Sequence, residues 1–251
     1  MKDKILILLF YYNRPTLVRI ALNSVKQQDY SNWQVAFIDD GSESPGAPIA
    51  QKILGEERVI FYNTNDDIQQ KMLRNKENGS IFGKYAQLAI EQSDADYVIM
   101  LCDDDALYPG YLSNLQRYFN DHPDKKYVYS HIHTYDPVLT KIENNPPFEY
   151  HHLNKTHSLN PHFNIDMSQV AWRRKDFIDN NIQFPHPMTA NLDAVIYNQM
   201  HNHYGDCDFS GFIGQYKAMY KGGYDDQLSH RMGKRIAELN TPEDVYKITI
   251  K

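Results

Sequence analysis

Five aspartates stand in two short clusters that could together bind a metal ion. Asp39 and Asp40 precede a glycine and a serine, whereas Asp103, Asp104 and Asp105 form an unbroken run. Carboxylates that lie close together repel one another unless a positive group sits among them. A divalent cation supplies that charge, and Mg²⁺ or Mn²⁺ prefers oxygen ligands and completes its shell with substrate phosphates. The clusters therefore predict a metal site for a phosphorylated ligand, although either one alone could be an ordinary turn or a solvated loop.

Each aspartate cluster follows an apolar run that is typical of a buried parallel strand. Four such strands are predicted at 5–10, 33–38, 59–62 and 97–101. Helical patterns accompany them at 17–25, 48–54, 81–92 and 111–119. Asn13 and Pro15 are expected to open the first of these helices. The alternation predicts a doubly wound, mostly parallel α/β sheet, and ligands bind beyond the carboxyl ends of such strands.

The second half of the chain has a different pattern. Strands are predicted at 127–134, 167–172 and 212–220, and helices at 175–180, 193–203 and 227–239. The composition changes near residue 106 without any linker-like stretch. Residues 1–251 are therefore expected to form one unit, with a C-terminal extension on the α/β sheet.

Composition excludes several classes of protein. The 251 residues include 26 basic and 32 acidic residues, for a net charge of −6, which disfavours a nucleic-acid surface. Mean hydropathy is −0.64 and no apolar run reaches the roughly 18 residues of a spanning helix, so no transmembrane segment is expected. The first apolar run lacks a small-residue cleavage site, and Cys102 and Cys207 are too few for a disulfide framework. A cytoplasmic location is therefore expected.

Five segments, taken in order, resemble one enzyme family. They are Tyr12-Asn13-Arg14-Pro15, Ser24-Val25-Lys26-Gln27-Gln28, Ile38-Asp39-Asp40-Gly41-Ser42, Ala89-Ile90-Glu91 with Asp96-Tyr97-Val98, and Asp103-Asp104-Asp105-Ala106-Leu107-Tyr108-Pro109. In this order and spacing, the first 120 residues resemble the catalytic domain of family 2 glycosyltransferases, which have the GT-A fold. More weakly, most of the chain resembles the bacterial spore-coat polysaccharide glycosyltransferase type.

The resemblance implies donor-binding roles for the matching residues. Tyr12 would line the base pocket, Asp40 would hydrogen-bond the base, and Asp103 would lie near the ribose. Asp104 would be the principal metal ligand of the DXD-type motif, with Mn²⁺ or Mg²⁺ as the ion. Asp105 is a second candidate ligand, in a position that is more often supporting. Residues 1–106 would then form the nucleotide-sugar-binding half and residues 107–251 the acceptor-binding half.

The family position of Asp193 implies that it is the catalytic base. One base and one metal ion describe an inverting displacement, in which the acceptor hydroxyl loses its proton as it attacks. An aspartate at a helix start is also a common N-cap, so its local sequence leaves both roles open. The competing carboxylates of the second half are Asp166, Asp176, Asp206 and Asp208.

Four basic residues are candidates for contacts to the diphosphate. Arg14 and Lys84 could each bind a phosphate, with solvated surface as the alternative. His230 or Arg231 could lie on a late loop that closes over the diphosphate and supplies a further ligand or cation.

Two departures from the family pattern bear on the donor and the product. Gln87 stands where the family usually has asparagine, which leaves part of the donor pocket undefined. The Gln-x-x-Arg-Trp signature of processive synthases is absent, because Trp172 and Arg173 stand in the reverse order after Gln169. A single-addition transferase is therefore expected.

The expected function is transfer of a sugar from a nucleoside diphosphate sugar to a glycan or glycoconjugate. Uridine or deoxythymidine diphosphate is favoured over guanosine diphosphate as the carrier. One alternative is a nucleotidyltransferase that forms the activated sugar, although the glycine-rich phosphate loop usual after its first strand is missing here. The other alternative is a non-catalytic sugar- or nucleotide-binding module.

Overall fold

A single mixed β-sheet runs through the computed structural model, which describes residues 3–66, 81–136, 141–143, 155–186 and 192–218. The strands are β1 (Ile5–Tyr11), β2 (Trp33–Asp39), β3 (Val59–Asn63), β4 (Tyr97–Cys102), β5 (Ala106–Leu107), β6 (Tyr127–Asp136), β7 (Lys141–Glu143), β8 (Val170–Arg173) and β9 (Asp208–Ala218). The helices are α1 (Val18–Lys26), α2 (Ala47–Leu54), α3 (Phe82–Gln92), α4 (Tyr111–Asp121), α5 (Arg174–Asp179) and α6 (Leu192–Tyr204).

The first half of the sheet is parallel, in the order β3-β2-β1-β4. Ile5 to Leu9 are fully buried because helices cover both faces of β1. One face packs against α1 and α4, and the other face packs against α3 and α6. The continuous apolar run in the sequence is therefore the run that a two-sided parallel strand requires.

The second half of the sheet is mixed. Strand β8 pairs antiparallel with β4, with Ile99 opposite Ala171, and β6, β9 and β5 follow in that order. Strands β6 and β9 are parallel, and β7 pairs with β6. The predicted α/β sheet with a C-terminal extension is confirmed. Within the described ranges, no helix has the length and apolar character that crossing a bilayer requires.

Several predicted boundaries were wrong, for identifiable reasons. Asn13 does not cap α1, which begins at Val18; Asn13 has a φ of 50° and its side-chain oxygen accepts from Glu43 N–H at 2.8 Å. Strand β8 begins three residues later than predicted, because a 3₁₀ turn over Met167–Gln169 precedes it. The short strands β5 and β7 were not predicted, and the predicted helix at 227–239 lies outside the described residues.

Candidate functional site

Three strand ends bring the two aspartate clusters to the same edge of the sheet. Tyr11 at the end of β1 is paired with Asp39, and Phe10 is paired with Cys102 at the end of β4. The turn after β4 is closed by a hydrogen bond from Asp105 N–H to the Cys102 carbonyl at 3.2 Å. We call Asp39, Asp40, Asp103, Asp104 and Asp105 together the acidic rim.

Asp39 holds the turn after β2. Its two carboxylate oxygens accept from Ser42 N–H at 2.8 Å and Gly46 N–H at 3.2 Å, and the residue is buried. Asp40 is only partly buried, and Thr64 donates to its carboxylate at 3.5 Å. Asp39 therefore has a structural role, while Asp40 stays next to solvent.

The loop after β1 contacts the rim through backbone and side chain. Tyr12 N–H donates to Asp103 at 2.9 Å, while the Tyr12 side chain is 48% exposed. The Arg14 guanidinium bridges two carboxylates, at 3.0 Å from Asp103 and 2.9 Å from Asp104. Four of the predicted donor-side residues, Tyr12, Arg14, Asp103 and Asp104, thus lie in one hydrogen-bonded group.

A buried lysine that the sequence analysis missed is paired with Asp105. Lys217 on β9 lies 3.1 Å from Asp105 and 3.3 Å from Asp166. The other oxygen of Asp105 accepts from Ala218 N–H at 3.0 Å. The signal was present in the sequence, because Gln215 and Lys217 are spaced two apart in a predicted strand and so share one face. Two polar side chains on a buried face need hydrogen-bonding or charged partners.

Burial makes ionisation of two aspartates of the rim, Asp103 and Asp105, unfavourable. It raises the pKa of Asp103 to about 7, with Asp104 adding to the effect and Arg14 opposing it. Burial also raises the pKa of Asp105 to about 7, against the lowering effect of Lys217. An added cation would relieve this cost.

The residues at the end of β4 fit a hard divalent cation. Ligand atoms of Cys102, Asp104 and Asp105 all lie within 4.8 Å of one another. Burial raises the pKa of the Cys102 thiol well above its ordinary value, and a soft sulfur ligand does not suit a hard cation. Both oxygens of Asp105 are already engaged by Lys217 and Ala218. Asp104 is paired with the partly exposed Arg14 rather than with a buried lysine, which makes it the better candidate ligand, and an oxygen ligand suits Mn²⁺ or Mg²⁺.

Asp193 lies in the first turn of α6, inside the helix rather than at its N-cap. Burial raises the pKa of its carboxyl, and the charge of Asp166 acts in the same direction. Lys217 is near enough to oppose this rise. Asp193 thus lies within electrostatic range of the ion pair of Lys217 and Asp166, and Lys217 also contacts Asp105.

Each of the competing carboxylates lies close to a basic side chain. Asp166 accepts from Ser168 N–H and hydroxyl and pairs with Lys217. The remaining three pairs are Asp176 with Lys126, Asp206 with His201, and Asp208 with Lys125. Among the described residues, the hydrogen bond to Asp193 comes from Ala194 N–H at 2.9 Å, within its own helix turn.

The residues at the two departures from the family pattern make hydrogen bonds within the fold. Gln87 is buried, accepts from Phe184 N–H at 3.1 Å and donates to Glu91 at 2.8 Å. Gln169 donates to the Ser130 carbonyl at 2.8 Å, and its side-chain oxygen accepts from Asp166 N–H. Arg173 donates to backbone carbonyls of Phe119 and Lys125. Gln87 thus connects α3 to the segment before α6, while Gln169 links the turn before β8 to β6 and Arg173 links β8 to α4.

Of the remaining basic candidates, one lies within the described residues. Lys84 lies in the first turn of α3, with its ammonium nitrogen 5.7 Å from the centre of the Tyr85 ring. His230 and Arg231 lie outside the described residues.

Comparison with known proteins bears on both the sequence and the fold. Protein CgeD of Bacillus subtilis is 29% identical over 133 residues, which are 52% of this chain and 29% of that protein. The GalNAc(5)-diNAcBac-PP-undecaprenol beta-1,3-glucosyltransferase of Campylobacter jejuni is 26% identical over 139 residues, which are 55% of this chain and 39% of that protein. The chain thus matches well under half the length of either relative.

The structure of S. aureus TarS 1-349 in complex with UDP-GlcNAc resembles the whole fold. The TM-score is 0.68 at 16% identity, over 98% of this chain and 64% of that chain. At this identity the likeness concerns the fold alone, and the GT-A fold predicted from the sequence is confirmed. The family model described as glycosyl transferase family 2 matches residues 7–181, which is more than half of the chain. The protein therefore belongs to glycosyltransferase family 2, as the sequence motifs had indicated.

Proposed function

We propose that this protein transfers a sugar from a nucleoside diphosphate sugar to a glycan or glycoconjugate, with inversion and with Mn²⁺ or Mg²⁺ bound at the rim. The observation that carries the proposal is the hydrogen-bonded group of Tyr12, Arg14, Asp103 and Asp104 at the carboxyl ends of β1 and β4. Two relatives add support, since one is named a glucosyltransferase and the other is a structure in complex with UDP-GlcNAc.

On the donor side, exposed Tyr12 and partly buried Asp40 would bind the base. A carboxylate can accept from the imide N–H of uracil or thymine, which favours uridine or deoxythymidine diphosphate. Asp103 would lie next to the ribose, held in place by Tyr12 N–H and Arg14.

At the diphosphate, Asp104 would be the principal metal ligand. A bound divalent cation would stabilise the negative charge that develops on the leaving diphosphate. Arg14 would donate to the phosphates once the Asp104 carboxylate turns to the cation, and Lys84 is a second candidate for that contact. Asp105 joins the ligands only if Lys217 releases it.

On the acceptor side, Asp193 would take the proton from the attacking hydroxyl. Its raised pKa makes it a stronger base than an exposed carboxylate. Residues 1–106 would bind the donor, and residues 107–251 would bind the acceptor and supply this base.

Metal-dependent donor binding tests the proposal. Titration calorimetry with UDP should show binding that strengthens when Mn²⁺ is present. Asp104→Asn should lose most of that increment, because it removes the anionic ligand and keeps the side-chain volume. Asp94→Asn is the matched control, since Asp94 is an exposed carboxylate that precedes β4 and pairs with Lys4. Unchanged metal dependence in Asp104→Asn would show that the site is misplaced.

A further inference from the structure

One buried lysine pairs with two aspartates that are distant from it, and from each other, in sequence. The Lys217 ammonium lies 3.1 Å from Asp105, which follows β4, and 3.3 Å from Asp166, which precedes the turn into β8. Lys217 is 5% exposed and Asp105 is fully buried. Because Lys217 lies on β9, this ion pair connects the donor-side strand ends to the second half of the sheet.

Both carboxylate oxygens of Asp105 make a contact within the protein. One oxygen faces Lys217, and the other accepts from Ala218 N–H at 3.0 Å. The neighbouring carboxylate of Asp104 is instead paired with Arg14, a partly exposed side chain, at 2.9 Å. Two adjacent carboxylates therefore have different cationic partners, one fully buried and one only partly buried.

The charges of this network match one divalent cation. When ionised, Asp103, Asp104, Asp105 and Asp166 exceed Arg14 and Lys217 by two negative charges. Without Lys217 the excess would be three, and Asp105 would be a second anionic ligand within 4.8 Å of the Asp104 ligand atom. Lys217 thus decides both the charge of the site and the number of carboxylates it offers.

We propose that Lys217 is a positioning residue that keeps Asp105 away from the metal ion. Asp104 is then the carboxylate of the run that binds the ion, and the ion binds together with the nucleoside diphosphate rather than alone. A site with one carboxylate binds Mn²⁺ or Mg²⁺ weakly until phosphates complete the coordination. This inference rests on the proposed function, since it concerns the metal ion of that site.

The test is Mn²⁺ binding, followed by the electron paramagnetic resonance signal of free Mn²⁺, with and without UDP. Lys217→Met should bind Mn²⁺ alone roughly 10- to 100-fold more tightly than the wild type, the range that changes around a ligand produce. The tightening caused by UDP should shrink accordingly. The double variant Lys217→Met/Asp105→Asn should return to wild-type affinity, because no second carboxylate remains to be released.

Two further variants keep the test decisive if Lys217→Met does not fold, as judged by circular dichroism. Lys217→Arg keeps the charge and should bind Mn²⁺ as the wild type does. Asp105→Asn alone should leave Mn²⁺ affinity within about twofold, because Asp105 is not a ligand while Lys217 holds it. A large loss of affinity in Asp105→Asn, or unchanged affinity in folded Lys217→Met, would overturn the inference.

An error in the proposed function and an error in the role of Lys217 give different results. If UDP binding by the wild type has no Mn²⁺ dependence, the metal site itself is wrong. If the wild type shows that dependence and Lys217→Met leaves it untouched, the metal site stands and only the role of Lys217 falls.

Discussion

At the scale of single residues, neighbouring aspartates of identical type have different tasks. Asp103 contacts Tyr12 N–H and Arg14, whereas Asp105 contacts Lys217 and Ala218 N–H. The run of three predicted a charged rim correctly, because strand ends can be located from the apolar runs before them. It could not assign the separate tasks, because the partners come from β9 and from the loop after β1, which are distant in sequence.

Replacing Asp193 tests the proposed base. Asp193→Asn keeps the size of the side chain but cannot accept the proton, so turnover should fall by roughly 10²–10⁴. UDP affinity should stay within about twofold of the wild type, because the proposed donor contacts lie at the ends of β1, β2 and β4 rather than on α6. Asp176→Asn is the matched control, since Asp176 also lies in the first turn of a helix. Near-normal turnover in Asp193→Asn would move the base to another carboxylate.

The pH dependence of turnover provides an independent check on the same residue. A general base must be ionised, and burial raises the pKa of Asp193. Turnover should therefore fall as the pH is lowered through a value above the ordinary carboxyl pKa of about 4. This acidic limb should disappear from the residual turnover of Asp193→Asn, and its persistence would assign the limb to a different group.

At the scale of elements, the parallel half of the sheet was easier to predict than the second half. Buried parallel strands such as β1 and β4 carry continuous apolar runs that stand out in the sequence. The 3₁₀ turn at Met167–Gln169 has no such apolar run. It is stabilised by a capping box between Asp166 and Gln169. Strand β5 is only two residues long, too short for any pattern to reveal.

At Gly83 in α3, a tertiary contact decides whether substitution by alanine raises or lowers the stability of the protein. A Cβ added at Gly83 would lie 2.3 Å from the Pro185 carbonyl oxygen and 3.5 Å from the Leu192 side chain. In a solvent-exposed helix, alanine is more favourable than glycine by about 1 kcal/mol. Gly83→Ala should nevertheless destabilise the protein by roughly 1–3 kcal/mol, because the segment before α6 must shift.

Urea unfolding monitored by circular dichroism measures this change in the free energy of unfolding. Gln51→Ala is the control, because Gln51 is exposed on α2 and alanine there should be neutral or slightly stabilising. Stabilisation by Gly83→Ala would mean that α3 and the residues around Pro185 are not packed together as described.

At the scale of the whole molecule, one sheet joins the two proposed halves. Strand β4 of the donor half pairs with β8 of the acceptor half. The face of β1 that carries Leu6 and Leu8 belongs to the same hydrophobic cluster as Trp172 and Tyr197. The separation near residue 106 is thus one of proposed function, since the two large hydrophobic clusters of the described residues each contain side chains from both halves.

The two tryptophans of the chain allow this cooperativity to be measured. Trp33 lies on β2 in the first half, and Trp172 lies on β8 in the second half. In Trp33→Phe the tryptophan fluorescence comes from the second half alone. In Trp172→Phe it comes from the first half alone. In each variant, the urea midpoint from fluorescence should coincide with the midpoint from circular dichroism of the same protein.

Each comparison is made within one variant, so the cavity that Trp172→Phe leaves in the core lowers both of its midpoints equally. Fluorescence and circular dichroism that report different midpoints in either variant would show that the halves unfold separately. The proposed role of Lys217 in positioning Asp105 requires coincident midpoints. A lysine on β9 can hold Asp105 in a fixed place only while β4, β8, β6 and β9 remain parts of one cooperative sheet.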